Sequence, residues 1–134
     1  DPYQINSAND LASLAYKANN GMDTKYHYVL NTNIDLNNIN FPGIGNVMFE
    51  KTFNGVFNGN GYVITNLYIS VSDSNCYGLF GHIKNGKVLN LDVTNANVVG
   101  SSYDEIYVGV IAGFVDLVLH HLVILILNIL DIKV

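Results

Sequence analysis

The stretch from Phe53 to Val93 repeats itself, and this repetition limits the available folds more than any other feature of the chain. Asn66-Leu67-Tyr68-Ile69 returns as Asn90-Leu91-Asp92-Val93, and Gly55-Val56-Phe57 returns as Gly78-Leu79-Phe80, a period of 23 to 24 residues. Within each copy the apolar residues alternate with period two, as in strands. A strand-borne repeat of this size is the signature of a solenoid whose inward side chains stack from coil to coil.

Ahead of the repeat, Ser7 reads as a helix N-cap, with Asp10 three residues on in the capping-box position. Leu11, Leu14, Ala15 and Ala18 then share one face, and Asn20-Gly21 supplies the stop. A single amphipathic helix, about residues 7–19, is expected to cover the open first coil, where core and strand edges would otherwise meet water. From Tyr26 the period becomes two, leading to Asn33-Ile34-Asp35-Leu36, which has the same form as the two later tetrapeptides. The spacing predicts that Asn33, Asn66 and Asn90 stack as a ladder at one corner, because Asn tolerates the left-handed backbone of a turn. Asn37 to Thr52, with Phe41-Pro42-Gly43-Ile44-Gly45, reads as a loop bulging from a corner. Tyr107 to Gly113 looks like a further copy of Tyr77 to Gly81.

Phe53-Asn-Gly-Val-Phe-Asn-Gly-Asn-Gly61 followed by Ile64 to Ile69, the Gly78-Leu-Phe-Gly81 box with Val88 to Val93, and Gly109-Val-Ile-Ala-Gly113 together resemble the GLUG-motif repeat proteins. Similar repeats precede bacterial immunoglobulin-A-type metallopeptidases and occur in large adhesins. The resemblance spans about residues 3–115. It implies an all-β fold, a right-handed parallel β-helix of about 3–4 coils with an N-terminal capping α-helix, on a secreted or cell-surface bacterial protein. It carries over no catalytic residue, since His-Glu-x-x-His has no counterpart here.

The chain therefore divides into a repeat module, 1–115, and an atypical apolar tail, 116–134. Three readings of the tail stay open. A transmembrane helix from about Val108 to Leu127 is long enough, but Asp116 and His120-His121 would lie within it, and a central Asp costs roughly 2.5–3.5 kcal/mol. The tail is alternatively a last irregular coil, with His121-Leu122-x-Ile124 filling the tetrapeptide, or a segment foreign to the family pattern. The opening Asp1-Pro2 reads as the start of a mature or excised fragment.

Composition narrows the function. The net charge is -5, and all six cationic residues are lysine. Without the planar fork of arginine, nucleic-acid binding is disfavoured. The lone Cys76 reads as a small, half-buried hydrophobe. His27 and His82 read as isolated outward strand residues, and adjacent His120 and His121 would face opposite ways on a strand, so no metal site is expected. If the tetrapeptides stack, Asp35, Tyr68 and Asp92 form an outward column about 4.8 Å apart per coil. That face is the candidate ligand surface, suited to a carbohydrate through its tyrosine. The expectation is a non-catalytic extracellular stalk or adhesive module that needs no cofactor. Its partner would be a host or cell-surface glycan or protein. Alternatives are a polysaccharide-degrading β-helix enzyme using Asp35 and Asp92, and a module that self-associates through its open end.

Overall fold

The computed structural model describes residues 1–47, 50–71, 75–100, 106–116 and 127–132. These are mostly β, with one short helix and parallel sheets. The chain begins with β1 (Tyr3–Ile5) and α1 (Ala8–Asn19), then runs through β2 (His27–Leu30) and β3 (Ile34–Asp35). A second pass carries β4 (Val56–Asn58), β5 (Val63–Thr65), β6 (Tyr68–Val71), β7 (Cys76–Tyr77) and β8 (Phe80–Lys84). A third carries β9 (Lys87–Leu89), β10 (Leu91–Gly100), β11 (Tyr107–Val108) and β12 (Ala112–Asp116), and β13 (Leu127–Ile132) follows.

Helix α1 forms where its local chemistry dictates. The Ser7 hydroxyl accepts from the Asp10 N–H at 3.1 Å, while the Asp10 carboxylate accepts from the Asn6 N–H at 2.8 Å. The reciprocal arm of the capping box thus reaches one residue further back than the usual pattern. Leu11, Leu14, Ala15 and Ala18 are buried, and Gly21 takes the left-handed φ of 69° just past the C-cap Asn20. The Asn19 side chain then pins the following segment. It donates to the Gly43 carbonyl and accepts from the Gly45 and Asn46 N–H groups.

The strands build sheets in the orders β1-β2-β4-β9 and β13-β10-β5-β3, with β6 beside β10, β7 beside β11 and β8 beside β12. Each of these pairings is parallel. Parallel neighbours cannot be joined by a hairpin; β1 and β2 are joined through α1, and strands of other sheets lie between β2, β4 and β9 in the chain. Register partners share an interior column. Tyr28, Phe57 and Val88 align, as do Ile34, Ile64 and Val93, and all six are buried. Phe80 ties the sheets together, its ring 4.9 Å from Phe53 and 5.2 Å from Phe57. Fully burying each such side chain is worth roughly 1.5–3 kcal/mol. Gly59 shows how closely the passes approach. A Cβ there would lie 2.2 Å from the Asn90 carbonyl oxygen.

The pairings correct the repeat length. Tyr28 pairs with Phe57, Phe57 with Val88, Ile34 with Ile64 and Ile64 with Val93, steps of 29 to 31 residues rather than 23 to 24. Gly78-Leu79-Phe80 does not stack on Gly55-Val56-Phe57, whose neighbours are Tyr28 and Val88. It lies beside the later glycine box instead. The Leu79 and Phe80 N–H groups donate to the Val110 and Ile111 carbonyls, and a Cβ on Gly78 would meet the Gly109 carbonyl oxygen at 2.7 Å. The reading of Tyr107 to Gly113 as a copy of Tyr77 to Gly81 therefore agrees with the register.

Two further expectations change. Asn37 to Thr52 is not simply a bulging loop. Asn40 bridges Tyr68, Ile44 bridges Phe80 in parallel, and Phe41 and Ile44 are buried, so its first half lies against the second pass. Near Val47 and Lys51, which form an antiparallel bridge, the chain doubles back locally. His82 is buried rather than outward, its ring 5.0 Å from that of Phe114, its register partner. His27 is exposed, and Cys76 is fully rather than half buried. Of the tail, His120 to Ile124 lies outside the described residues, as does half of the span 108–127 that would form a membrane helix. Among the described residues, no helix is long and apolar enough to cross a membrane. Strand β13 pairs with β10, Leu127 opposite Leu91 and Ile129 opposite Val93.

Candidate functional site

Asp35, Tyr68 and Asp92 do not form a column. Asp35 stands in register with Thr65, which pairs onward with Thr94, whereas Asp92 stands opposite Val63. Tyr68 belongs to β6 and pairs with Asn97. The three residues therefore occupy different rungs, on three different strands, β3, β6 and β10. Asn33, Asn66 and Asn90 likewise fall at different levels. The Asn33 side-chain oxygen accepts from the Val63 N–H at 2.9 Å, and the Asn90 amide donates to Asn58 Oδ1 at 3.2 Å.

A ladder does exist, but it joins Asn66 to Asp35 and Asn95 rather than to Asn33 and Asn90. Asn95 Nδ2 donates to Asn66 Oδ1, and Asn66 Nδ2 donates to Asp35 Oδ1 at 2.9 Å. The Asn37 N–H donates to the same carboxylate oxygen at 2.8 Å. Alongside, the Thr94 hydroxyl donates to the Thr65 hydroxyl at 2.9 Å. The donated bonds from Asn66, then from Asn37, hold the exposed Asp35 carboxyl below its usual range, because both favour the charged form. Asn37, Asn66 and Asn95 have φ values of 57°, 58° and 51°, and every described non-glycine residue with positive φ is an asparagine. Asparagine tolerates this left-handed turn geometry better than other side chains. The Asn66 amide joins one pass to the next on both sides.

The sequence reading passed over another cluster, beside the helix. Tyr3 stacks on Tyr28 with ring centroids 5.6 Å apart and an interplanar angle of 24°, and Tyr26 meets Tyr3 edge-on at 5.4 Å. Lys17 Nζ lies 5.4 Å from the centre of the Tyr3 ring. Tyr3 and Tyr26 are about half exposed while Tyr28 is buried. Burial, then the neighbouring Tyr3, Asp23 and Tyr26, push the Tyr28 hydroxyl up to about 12, so it remains a neutral donor. Tyr3, Tyr28 and Lys17 border a groove of about 140 Å³ that is also lined by Gln4, Asp10 and Ser13. The available signal was compositional, with Tyr3, Tyr16, Tyr26 and Tyr28 crowded into the first 28 residues. Among the described residues no group of three or more His, Cys, Asp or Glu is arranged to hold a metal ion.

The chain is similar over 125 residues to Halomucin of Haloquadratum walsbyi, at 32% identity, covering 86% of this chain and 1% of that protein. It is similar over 101 residues to a Gly-rich membrane protein of Evansella cellulosilytica, at 39% identity, covering 70% of this chain and 11% of that protein. No family model and no solved structure matches it. The chain thus corresponds to a small fraction of the length of the curated relatives it matches.

Proposed function

We propose that this chain is a non-catalytic module of a long polypeptide at the cell exterior, serving as a stalk or adhesive surface. On this reading it winds as a right-handed parallel β-helix of the GLUG type, capped at its first coil by α1. The observation that carries the proposal is the register. Successive passes visit the same sheets in the same order and align inward residues every 29 to 31 positions. Parallel strands joined through a crossover take the right-handed course almost always. Such a stack lengthens by adding passes, which suits a repeated element of a long chain. The likeness to small parts of Halomucin and of a membrane protein supports the same reading.

The placement of Asp35 and Asp92 lends the enzyme alternative no support. A glycosidase general acid needs a raised carboxyl pKa, and Asp35 is exposed and shifted the other way. Asp92 sits two rungs off its level, across β5. Self-association through the end of the stack keeps a specific support, since among the described residues β9 terminates its sheet order.

Protease shaving of intact cells that carry the parent polypeptide tests the proposal. Peptides from residues 1–116 should be released before any cytoplasmic marker. Their recovery only after lysis would end the exterior reading, and release of reducing sugars from polysaccharide by the purified chain would end the non-catalytic one.

A further inference from the structure

We infer that the groove between α1 and β1 binds a neutral pyranose sugar. The inference deepens the adhesive reading by naming a site and a ligand class, and it rests on that reading for its biological sense. The groove combines the two things a sugar ring requires. Its apolar C–H face needs a flat aromatic surface, and its hydroxyls need fixed polar partners along the rim.

Tyr3 supplies the surface. Its ring is half exposed, yet held from several sides by Tyr28, Tyr26 and Lys17. A tyrosine held this way loses little rotamer freedom on binding, which is how rigid aromatic anchors gain affinity. Tyr3 also sits on a strand paired in register with β2, so its position is set by backbone hydrogen bonds and not by a loop. The rim supplies the polar partners in Gln4, Asp10, Ser13 and Lys17. One acid and one base line the groove together, so it carries no net charge to favour an acidic sugar. The groove, about 140 Å³, is on the scale of a single sugar ring.

A second groove, bordered by Leu36, Ile39, Phe41 and Pro42 with Asn9 and Asn40, is mainly apolar, and its Asn40 amide is already bonded to the Ser70 backbone. It therefore makes an internal control.

The test is a titration of the intact chain, followed by amide NMR shifts, with the methyl glycosides of glucose, galactose, mannose and N-acetylglucosamine, and with methyl glucuronide. At least one neutral glycoside should give saturable shifts at Gln4, Ser13 and Lys17. The residues of the second groove should not move, and the glucuronide should bind more weakly. Tyr3→Ala should weaken binding by roughly tenfold. Because Tyr3 is half exposed, its loss should leave the shifts of core residues beyond its stacking partner Tyr28 in place. Tyr68→Ala should change nothing. The inference is overturned if no neutral glycoside gives saturable shifts, if the glucuronide binds best, or if Tyr3→Ala binds as the parent does. None of these outcomes bears on where the chain resides in the cell, so failure here is distinguishable from failure of the exterior reading.

Discussion

The inward columns and the outward corner solve the same problem, holding one pass of the chain against the next, with opposite chemistry. Inside, Tyr28, Phe57 and Val88 stack by shape and exclude water. Outside, Asn95, Asn66 and Asp35 join the passes by directed amide bonds at a water-exposed turn. The interior gains free energy from burial, which is large and non-directional. The corner gains less, since exposed hydrogen bonds exchange with water, but it fixes the level at which each pass turns. The comparison teaches that the interior sets the stability of the stack while the corner sets its register.

Truncating an interior ring should produce the largest effect. Phe57 is fully buried between Tyr28 and Val88 and meets Phe80 edge-on. Phe57→Ala should cost about 3–5 kcal/mol in denaturant unfolding. A cost near that of a surface substitution would break the assignment of stability to the columns. Next comes Gly59→Ala, where the added methyl would meet the Asn90 backbone. Strain of about 1–3 kcal/mol is expected, and a stability unchanged from the parent would show that the passes can move apart.

The corner should respond less, and in a way that separates backbone from side chain. Asn66→Ala removes two amide bonds and leaves an alanine at φ 58°, for a loss of about 1–2 kcal/mol. Asn66→Gly removes the same bonds without the backbone cost, and should lose only about 0.5–1 kcal/mol. Equal losses would mean that the left-handed turn contributes nothing.

How much of this was legible beforehand depended on how local the cause was. Helix α1 could be read residue by residue, because Ser7, Asp10 and the apolar face act within a few positions of one another. The strand periodicity and the pairing of the two glycine boxes could be read as well. The repeat length could not, since Asn-apolar-x-apolar motifs recur at positions that do not share a rung. Aligning Asn66-Leu67 with Asn90-Leu91 compared different corners of the stack, and the apparent period of 24 residues followed from that. The Asp35, Tyr68 and Asp92 column fell with it. His82 was read as outward because β8 looks like an ordinary alternating strand. Its N–H donates to the Gly45 carbonyl and its ring packs on Phe114, so residues some thirty positions away on either side cover that strand. The tyrosine groove was hidden for a similar reason, since Tyr3 and Tyr28 meet only through the register of β1 and β2.

The smallest effect expected is also the one that divides inside from outside by pH alone. Burial lowers the His82 pKa below 6.5, with Asp116 opposing that shift and Lys84 adding to it. The unfolded chain therefore binds a proton more readily than the folded one, and stability present above pH 6.5 is lost as pH falls toward the folded value. Asp35 behaves the same way in a lower window. Its carboxyl is held below 3.8 by Asn66 and the Asn37 N–H, so stability present above that value is lost only as pH falls through the folded pKa. Melting temperatures recorded from pH 8 to pH 2 should then show two separate declines. His82→Phe should flatten the first and leave the second, and Asp35→Asn should do the reverse. If His82→Phe leaves the upper decline untouched, protonation of the buried imidazole is not what the interior resists, and the inside and outside of the stack differ less than their contacts indicate.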